Sequence, residues 1–261
     1  MTKQLTGLRP ARFTLSTIGQ RLPKPVQRMI TRIKLGHPFS PLSGKIKFGD
    51  LRRLVPISRV YGWDRGTPVD RHYIETFLGA HSDLIRGDVL EISEDTYTKK
   101  FGGSAVTKSD VLHYDDPSPP ATMTGDLTNA PHVPSESYDC IIITQTLMLI
   151  YDLPAAIETL HRLLKPGGTV LATMAGVTQI ADREWQDVWY WSFSAASGRK
   201  IFEDGFPGGT VESRSYGNVL TTMAFLQGIG MEELTRKELD HQDPDYQLLV
   251  GVVARKAAAA E

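Results

Sequence analysis

Apolar and polar positions follow two different periods along the chain. From residue 88 onward, short apolar runs alternate with helix-spaced ones. The runs read as strands at 88–93, 105–111, 121–125, 138–144 and 169–174, and a helix fits Pro154 to Leu164. Lys165-Pro166-Gly167-Gly168 stops that helix, since proline lacks the donor to continue it and glycine tolerates the turn. Strand runs separated by crossovers predict a parallel, doubly wound α/β sheet. Further on, Val211 to Tyr216 and Gln247 to Arg255 read as strands, with helical segments near 218–228 and 231–240.

Two helices are predicted upstream of the sheet. Within Tyr61 to Leu78, Thr67 or Pro68 starts a helix whose buried stripe is Val69, Tyr73, Ile74, Phe77 and Leu78. Val26 to Leu35 spaces Val26, Met29, Ile30 and Ile33 at helical intervals, with Arg28, Arg32 and Lys34 elsewhere on the wheel. Around this second helix, Pro10, Pro23, Pro25, Pro38, Pro41 and Pro56 leave room for short helices only.

Charge sharpens this division. The overall net charge is −1, yet residues 1–60 hold 13 Lys/Arg and a single acid, Asp50, so the rest of the chain is strongly acidic. The chain is therefore expected to consist of a basic extension (1–60), a main domain (61–255) and a frayed tail (256–261). The basic helix suits an anionic membrane, a glycan-assembly partner, or the acidic body itself. The acidic body argues against a long phosphate-tracking surface, so nucleic acid is not an expected partner.

At 41% hydrophobic residues, the 261-residue chain can build a sizeable core. One cysteine, Cys140, sits in an apolar run and allows no disulfide within the chain. No apolar run reaches the length of a membrane span. The first 21 residues lack acids in the manner of a transit peptide, but have no apolar core for a secretory signal. A cytoplasmic protein, peripheral at the membrane through its arm, is the expectation. There is no zinc-ligand spacing, phosphate-loop lysine or nucleophile elbow.

Four landmarks occur in order: Val89-Leu90-Glu91-Ile92; Asp110, closing the next predicted strand; Gly125-Asp126-Leu127; and Ser137-Tyr138-Asp139-Cys140-Ile141-Ile142-Ile143, followed by Leu163 to Leu171 (LLKPGGTVL). With them, residues 61–255 resemble the class I S-adenosylmethionine-dependent methyltransferases. More loosely, Tyr61 to Tyr73 and Asp95 to Gly103 are similar to methyltransferase-like proteins among bacterial glycan-assembly enzymes. The resemblance implies a Rossmann-like sheet of about seven strands with the last one antiparallel, and a substrate lid at about 175–245. It implies S-adenosylmethionine as cofactor. Asp110 would take the ribose hydroxyls, Asp126 the adenine amino group and Leu127 the ring face. Glu91 would hold the methionine ammonium, and His132 would lie on the cofactor side.

The family's glycine loop is missing. At about positions 93, 95 and 97, where small residues let backbone approach the methionine end, stand Ser93, Asp95 and Tyr97, with Glu94 and Thr96 between them. A turn into a helix is expected there. Two outcomes are open. Side chains hold the cofactor carboxylate, with Arg65 or Arg71 as a bidentate fork and Thr96 or Tyr97 as a hydroxyl donor; or the cofactor is lost and the fold persists as a binding scaffold.

Thr144-Gln145-Thr146 follows the fourth strand and faces the reaction space the resemblance implies, with Gln145 orienting cofactor or acceptor. His113, His132, Tyr151 and Asp152 are the base candidates. Trp185, Trp189, Tyr190, Trp191 and Phe193 cluster after the fifth strand, where aromatic faces suit sugar rings. The expected activity is O-methylation of a sugar or small glycan-related acceptor. Its rival is a non-catalytic module that binds a membrane or glycan-assembly partner through the arm.

Overall fold

The computed structural model describes residues 23–34, 45–180 and 183–259. The chain divides into two compact units, residues 1–53 and 54–261. In the first, helix α1 spans Lys24–Lys34, with Met29 and Ile33 exposed. Residues 1–22 and 35–44, with Pro10, Leu35, Pro38 and Pro41 among them, and the last two residues of the tail lie outside the described residues.

The second unit is built on seven strands: β1 (Gly87–Ile92), β2 (Val106–His113), β3 (Met123–Thr124), β4 (Tyr138–Thr144), β5 (Leu164–Ala175), β6 (Thr210–Tyr216) and β7 (Leu249–Arg255). Their spatial order is β3-β2-β1-β4-β5-β7-β6. β1 to β5 pair in parallel, and β7 runs antiparallel to both β5 and β6. The order reverses between β1 and β4, and ligands in such sheets bind beyond the strand ends at that point.

Both faces of the sheet are covered, so the central strands read as nearly continuous apolar runs. The period of two then sorts them. Leu90, Ile92, Ile141 and Ile143 pack on one side with α3 (Leu153–Leu163) and α5 (Ala195–Gly205). Val89, Ile142 and Leu171 pack on the other with α2 (Val69–Ala80) and α6 (Val219–Gln227). Two short helices, α4 (Arg183–Gln186) and α7 (Arg236–Asp240), complete the unit.

Helix ends follow their capping chemistry. Asp152 accepts from Ala155 N–H at the start of α3, and Asn218 forms a capping box on α6, which Gly228 ends in the left-handed conformation. Pro68 precedes α2, as the sequence suggests. The predicted 231–240 helix is instead a short turn at Met231–Glu233 followed by α7.

Two departures matter for function. First, the helix after β1 is short and irregular, starting at Thr96. The crossover contains one π-helical turn, Thr98–Gly102, and a short 3₁₀ turn, Gly103–Ala105. Second, β2 runs to His113, so Asp110 is mid-strand, opposite Leu90, rather than at the strand end.

Candidate active site

The site lies at the carboxyl ends of β4 and β5. Gln145 directly follows β4, and its N–H donates to Thr173 O (2.9 Å) on the neighbouring strand. It has φ +50, and Ser93, at the end of adjacent β1, has φ +77. Left-handed backbone is costly for side-chain-bearing residues and concentrates at functional sites. Here it marks both strand ends that flank the switch point. Ser93 therefore keeps the positive-φ turn a glycine would make, and its N–H donates to Leu112 O (2.9 Å).

Next to Gln145 is a cavity of about 190 Å³, lined among others by Asp70, Arg71, Gln145, Trp63, Trp185 and Trp189. Ligand pockets for drug-sized molecules are about 300–1,000 Å³, so this space takes at most one end of a cofactor with the reacting edge of an acceptor. The segment before α2 forms its roof. Ile57 and Ser58 donate to Gln227 O, and Tyr61 stacks on Phe225 with centroids 6.0 Å apart. Gly62 has φ +97, and a Cβ there would press on Gly228 O at 3.1 Å, so the close approach requires glycine.

Arg71 projects from the first turn of α2. Its Nη1 donates to Tyr97 Oη (3.0 Å), and its guanidinium lies 5.7 Å from the Trp63 ring centroid. Asp70 beside it is half-buried, and loss of solvent around its carboxylate raises its pKa despite the opposing charge of Arg71. Asp70 Oδ1 and Arg71 Nε are buried without hydrogen-bond partners.

The cofactor-side residues named from sequence divide. Glu91 is fully buried on the α2 face and accepts from Tyr97 N–H (3.2 Å) and Thr98 N–H (2.7 Å). It caps the rebuilt crossover and is not turned toward a ligand ammonium. Burial pushes its pKa from 4.5 to about 7, against the pull of those N–H donors. Glu94 accepts from Thr96 Oγ1 (2.9 Å) and Asp95 pairs with Lys99 (2.6 Å), so the loop's charges are spent locally. Tyr97 is buried and stacks on Phe101.

Asp110 is buried between Tyr138, whose hydroxyl donates to it at 2.9 Å, and Lys108 at 2.6 Å. The strand end expected for it is held by His113, whose Nδ1 accepts from Asp116 N–H (2.9 Å). Arg65 is not among the cavity-lining residues: Glu233 holds it through Nε (3.0 Å) and Nη2 (2.8 Å). Asp126 is exposed beyond β3 and folds back on Thr128 N–H and Oγ1, both at 2.8 Å. Leu127 is buried in the core, and exposed His132 packs against Gly125, where a Cβ would meet its ring at 2.7 Å.

Of the catalytic candidates, Gln145 lines the cavity. Thr144 ends β4, its carbonyl accepting from Thr146 Oγ1 (3.0 Å). Tyr151 lies on an exposed aromatic surface, stacked on Trp191 and edge-on to Tyr190, and Asp152 is spent on capping α3. Neither Tyr151 nor His113 is among the cavity-lining residues. The lid prediction divides likewise: Trp185 and Trp189 reach the cavity, while Phe193 is buried in the core. Sequence reading missed Asp70, Trp63 and Phe225. An acid in a helix's first turn reads as ordinary dipole compensation, and nothing local reveals that its oxygen is left unpaired.

Residues 79–203, spanning β1 to β5, match the model of a methyltransferase domain family. With the sheet order above, this match over just under half of the chain supports a class I S-adenosylmethionine-dependent methyltransferase-like domain. That class uses S-adenosylmethionine, and the unpaired Asp70 and Arg71 atoms fit its charged amino-acid end. Solved methyltransferase structures are similar at low identity. One from Thermotoga maritima is 15% identical, covering 74% of this chain and 94% of its own, with a TM-score of 0.49. One from Mesorhizobium loti is 15% identical, covering 75% and 100%, with a TM-score of 0.48. One from Archaeoglobus fulgidus is 12% identical, covering 71% and 94%, with a TM-score of 0.47. No curated protein sequence matches the chain significantly. Among the described residues, no helix is long and apolar enough to cross a membrane.

Proposed function

We propose that the chain transfers a methyl group from S-adenosylmethionine to a hydroxyl of a sugar or small glycan-related acceptor. The observation that carries this reading is the cavity itself. It sets Gln145 at the end of β4 against a wall of aromatic rings, Trp63, Trp185 and Trp189 among them.

When bound, the cofactor supplies a methyl group on a sulfonium. The chain's own residues supply position. Aromatic faces bury the apolar side of a sugar ring and exclude water. Gln145 offers a carbonyl acceptor and an amide donor but no ionisable group, so it orients the attacking hydroxyl and does not take its proton. Gly125, Asp126 and His132 line the β3 end, where the nucleoside would lie. The basic α1 helix is read as a peripheral contact for an anionic membrane or a glycan-assembly partner.

The test is methyl transfer from labelled cofactor to a panel of free and activated sugars, with amines as controls. Label on a sugar hydroxyl, lost in Gln145→Ala and in Trp189→Ala, supports the reading. Transfer to amines alone would replace the acceptor class. No binding of S-adenosylhomocysteine at millimolar concentration would reject the enzyme reading in favour of a binding module.

A further inference from the structure

The first turn of α2 sets a carboxylate and a guanidinium side by side on the cavity wall, each with an atom left over. Asp70 Oδ1 accepts no hydrogen bond and Arg71 Nε donates none, although both atoms are buried. Their charges are close enough to act on each other, yet the two side chains form no ion pair among the described residues. Arg71 is held by the Tyr97 hydroxyl and the face of Trp63.

Buried polar atoms without partners are uncommon and costly. A cavity wall that carries one charge of each sign, not spent on each other, is complementary to a ligand with one of each sign. A phosphate would satisfy Arg71 but be repelled by Asp70. A simple amine would satisfy Asp70 and leave Arg71 uncompensated. An α-amino-acid group, with ammonium and carboxylate one carbon apart, satisfies both.

We propose that Asp70 and Arg71 form a clamp for the amino-acid end of the cofactor, Asp70 taking the α-ammonium and Arg71 the α-carboxylate. The inference rests on the S-adenosylmethionine reading above and moves the methionine site from the loop after β1 to the helix before it. The loop Ser93 to Tyr97 then acts as a buttress: its Tyr97 hydroxyl aims the guanidinium. This accounts for bulky residues where glycines would let backbone reach the ligand. The backbone is not the part that binds.

The test is calorimetric binding to the full chain. The probes are S-adenosylhomocysteine, its analogues lacking either the α-amino or the α-carboxyl group, and 5′-methylthioadenosine, which lacks the whole amino-acid arm. The wild type should prefer S-adenosylhomocysteine to 5′-methylthioadenosine by about tenfold to a hundredfold. Arg71→Ala should abolish discrimination against the decarboxylated analogue, and Arg71→Lys should restore part of it. Asp70→Asn should abolish discrimination against the deaminated analogue alone. Thermal melting checks folding, and the isosteric Asp70→Asn and conservative Arg71→Lys carry the test if Arg71→Ala fails to fold. If the wild type binds S-adenosylhomocysteine and both conservative variants keep full discrimination, the clamp is wrong and the cofactor reading stands. If the folded wild type binds neither S-adenosylhomocysteine nor 5′-methylthioadenosine, the cofactor reading itself fails.

Discussion

Arg71 Nη1 and Tyr97 Oη are 3.0 Å apart, so a residue standing in the missing glycine loop orients the guanidinium on the cavity wall. Removing that hydroxyl removes the orientation but not the charge. Tyr97→Phe is expected to weaken S-adenosylhomocysteine binding about threefold to tenfold while leaving 5′-methylthioadenosine unchanged, because a hydrogen bond to a charged partner is worth about 1.5–3 kcal/mol and Trp63 still holds part of Arg71. Calorimetry with both ligands checks this; equal losses for the two would mean that Tyr97 acts on the pocket as a whole.

Glu91 makes stability depend on pH in a defined direction. Its folded pKa of about 7 exceeds the unfolded value of 4.5, so between those values the folded state holds the proton more strongly. Stability should therefore fall as pH rises from 4.5 to 7 and level off above, by up to ~3 kcal/mol from this group. Glu91→Gln removes the titration, so the difference between wild type and variant should track pH across that window. Urea unfolding at pH 5 and pH 8 measures it. A difference that does not change with pH would show that Glu91 titrates normally.

The sheet is legible in the sequence wherever strands are buried on both faces. Tyr138 to Thr144 reads as a strand because Ile141, Ile142 and Ile143 must all be apolar, and it lies where the pattern puts it. The crossover after β1 is legible in part. Its sequence predicts a turn into a helix, and a helical stretch does begin at Thr96; its π-helical form is not legible, nor that the buried Glu91 carboxylate accepts from the Tyr97 and Thr98 N–H groups at its start. Asp110 misleads for a related reason. An acid near the end of an apolar run reads as a strand end, but Tyr138 and Lys108 partner it inside the sheet. Arg65 and Arg71 are equivalent on the page of the sequence. Only the distant Glu233 separates them, by taking Arg65.

The two strained strand ends separate backbone from side chain. Both Ser93 and Gln145 sit at positive φ, where glycine is relaxed. Ser93→Gly and Gln145→Gly should each leave stability unchanged or raise it by about 1 kcal/mol. Gln145→Gly should nonetheless lower turnover at least tenfold, since the orienting amide is gone. Thermal melting and steady-state kinetics on the two variants decide this. Unchanged turnover in Gln145→Gly would assign the strain to folding and not to the site.

Asp110 offers the sharpest contrast between resemblance and structure. A ribose-binding carboxylate should be open to the ligand at a strand end, and its loss should abolish nucleoside affinity with little effect on stability. The structure places the same residue mid-strand and buried, accepting from Tyr138 and paired with Lys108. Asp110→Ala leaves the buried Tyr138 hydroxyl without its acceptor, and should destabilise the fold by about 2–3 kcal/mol. At a temperature well below melting, S-adenosylhomocysteine affinity should stay within about twofold of wild type. Tyr138→Phe should be milder, since it removes the donor but leaves Asp110 its pairing with Lys108. A large affinity loss in Asp110→Ala with unchanged melting would restore the strand-end role and require β2 to end earlier than His113.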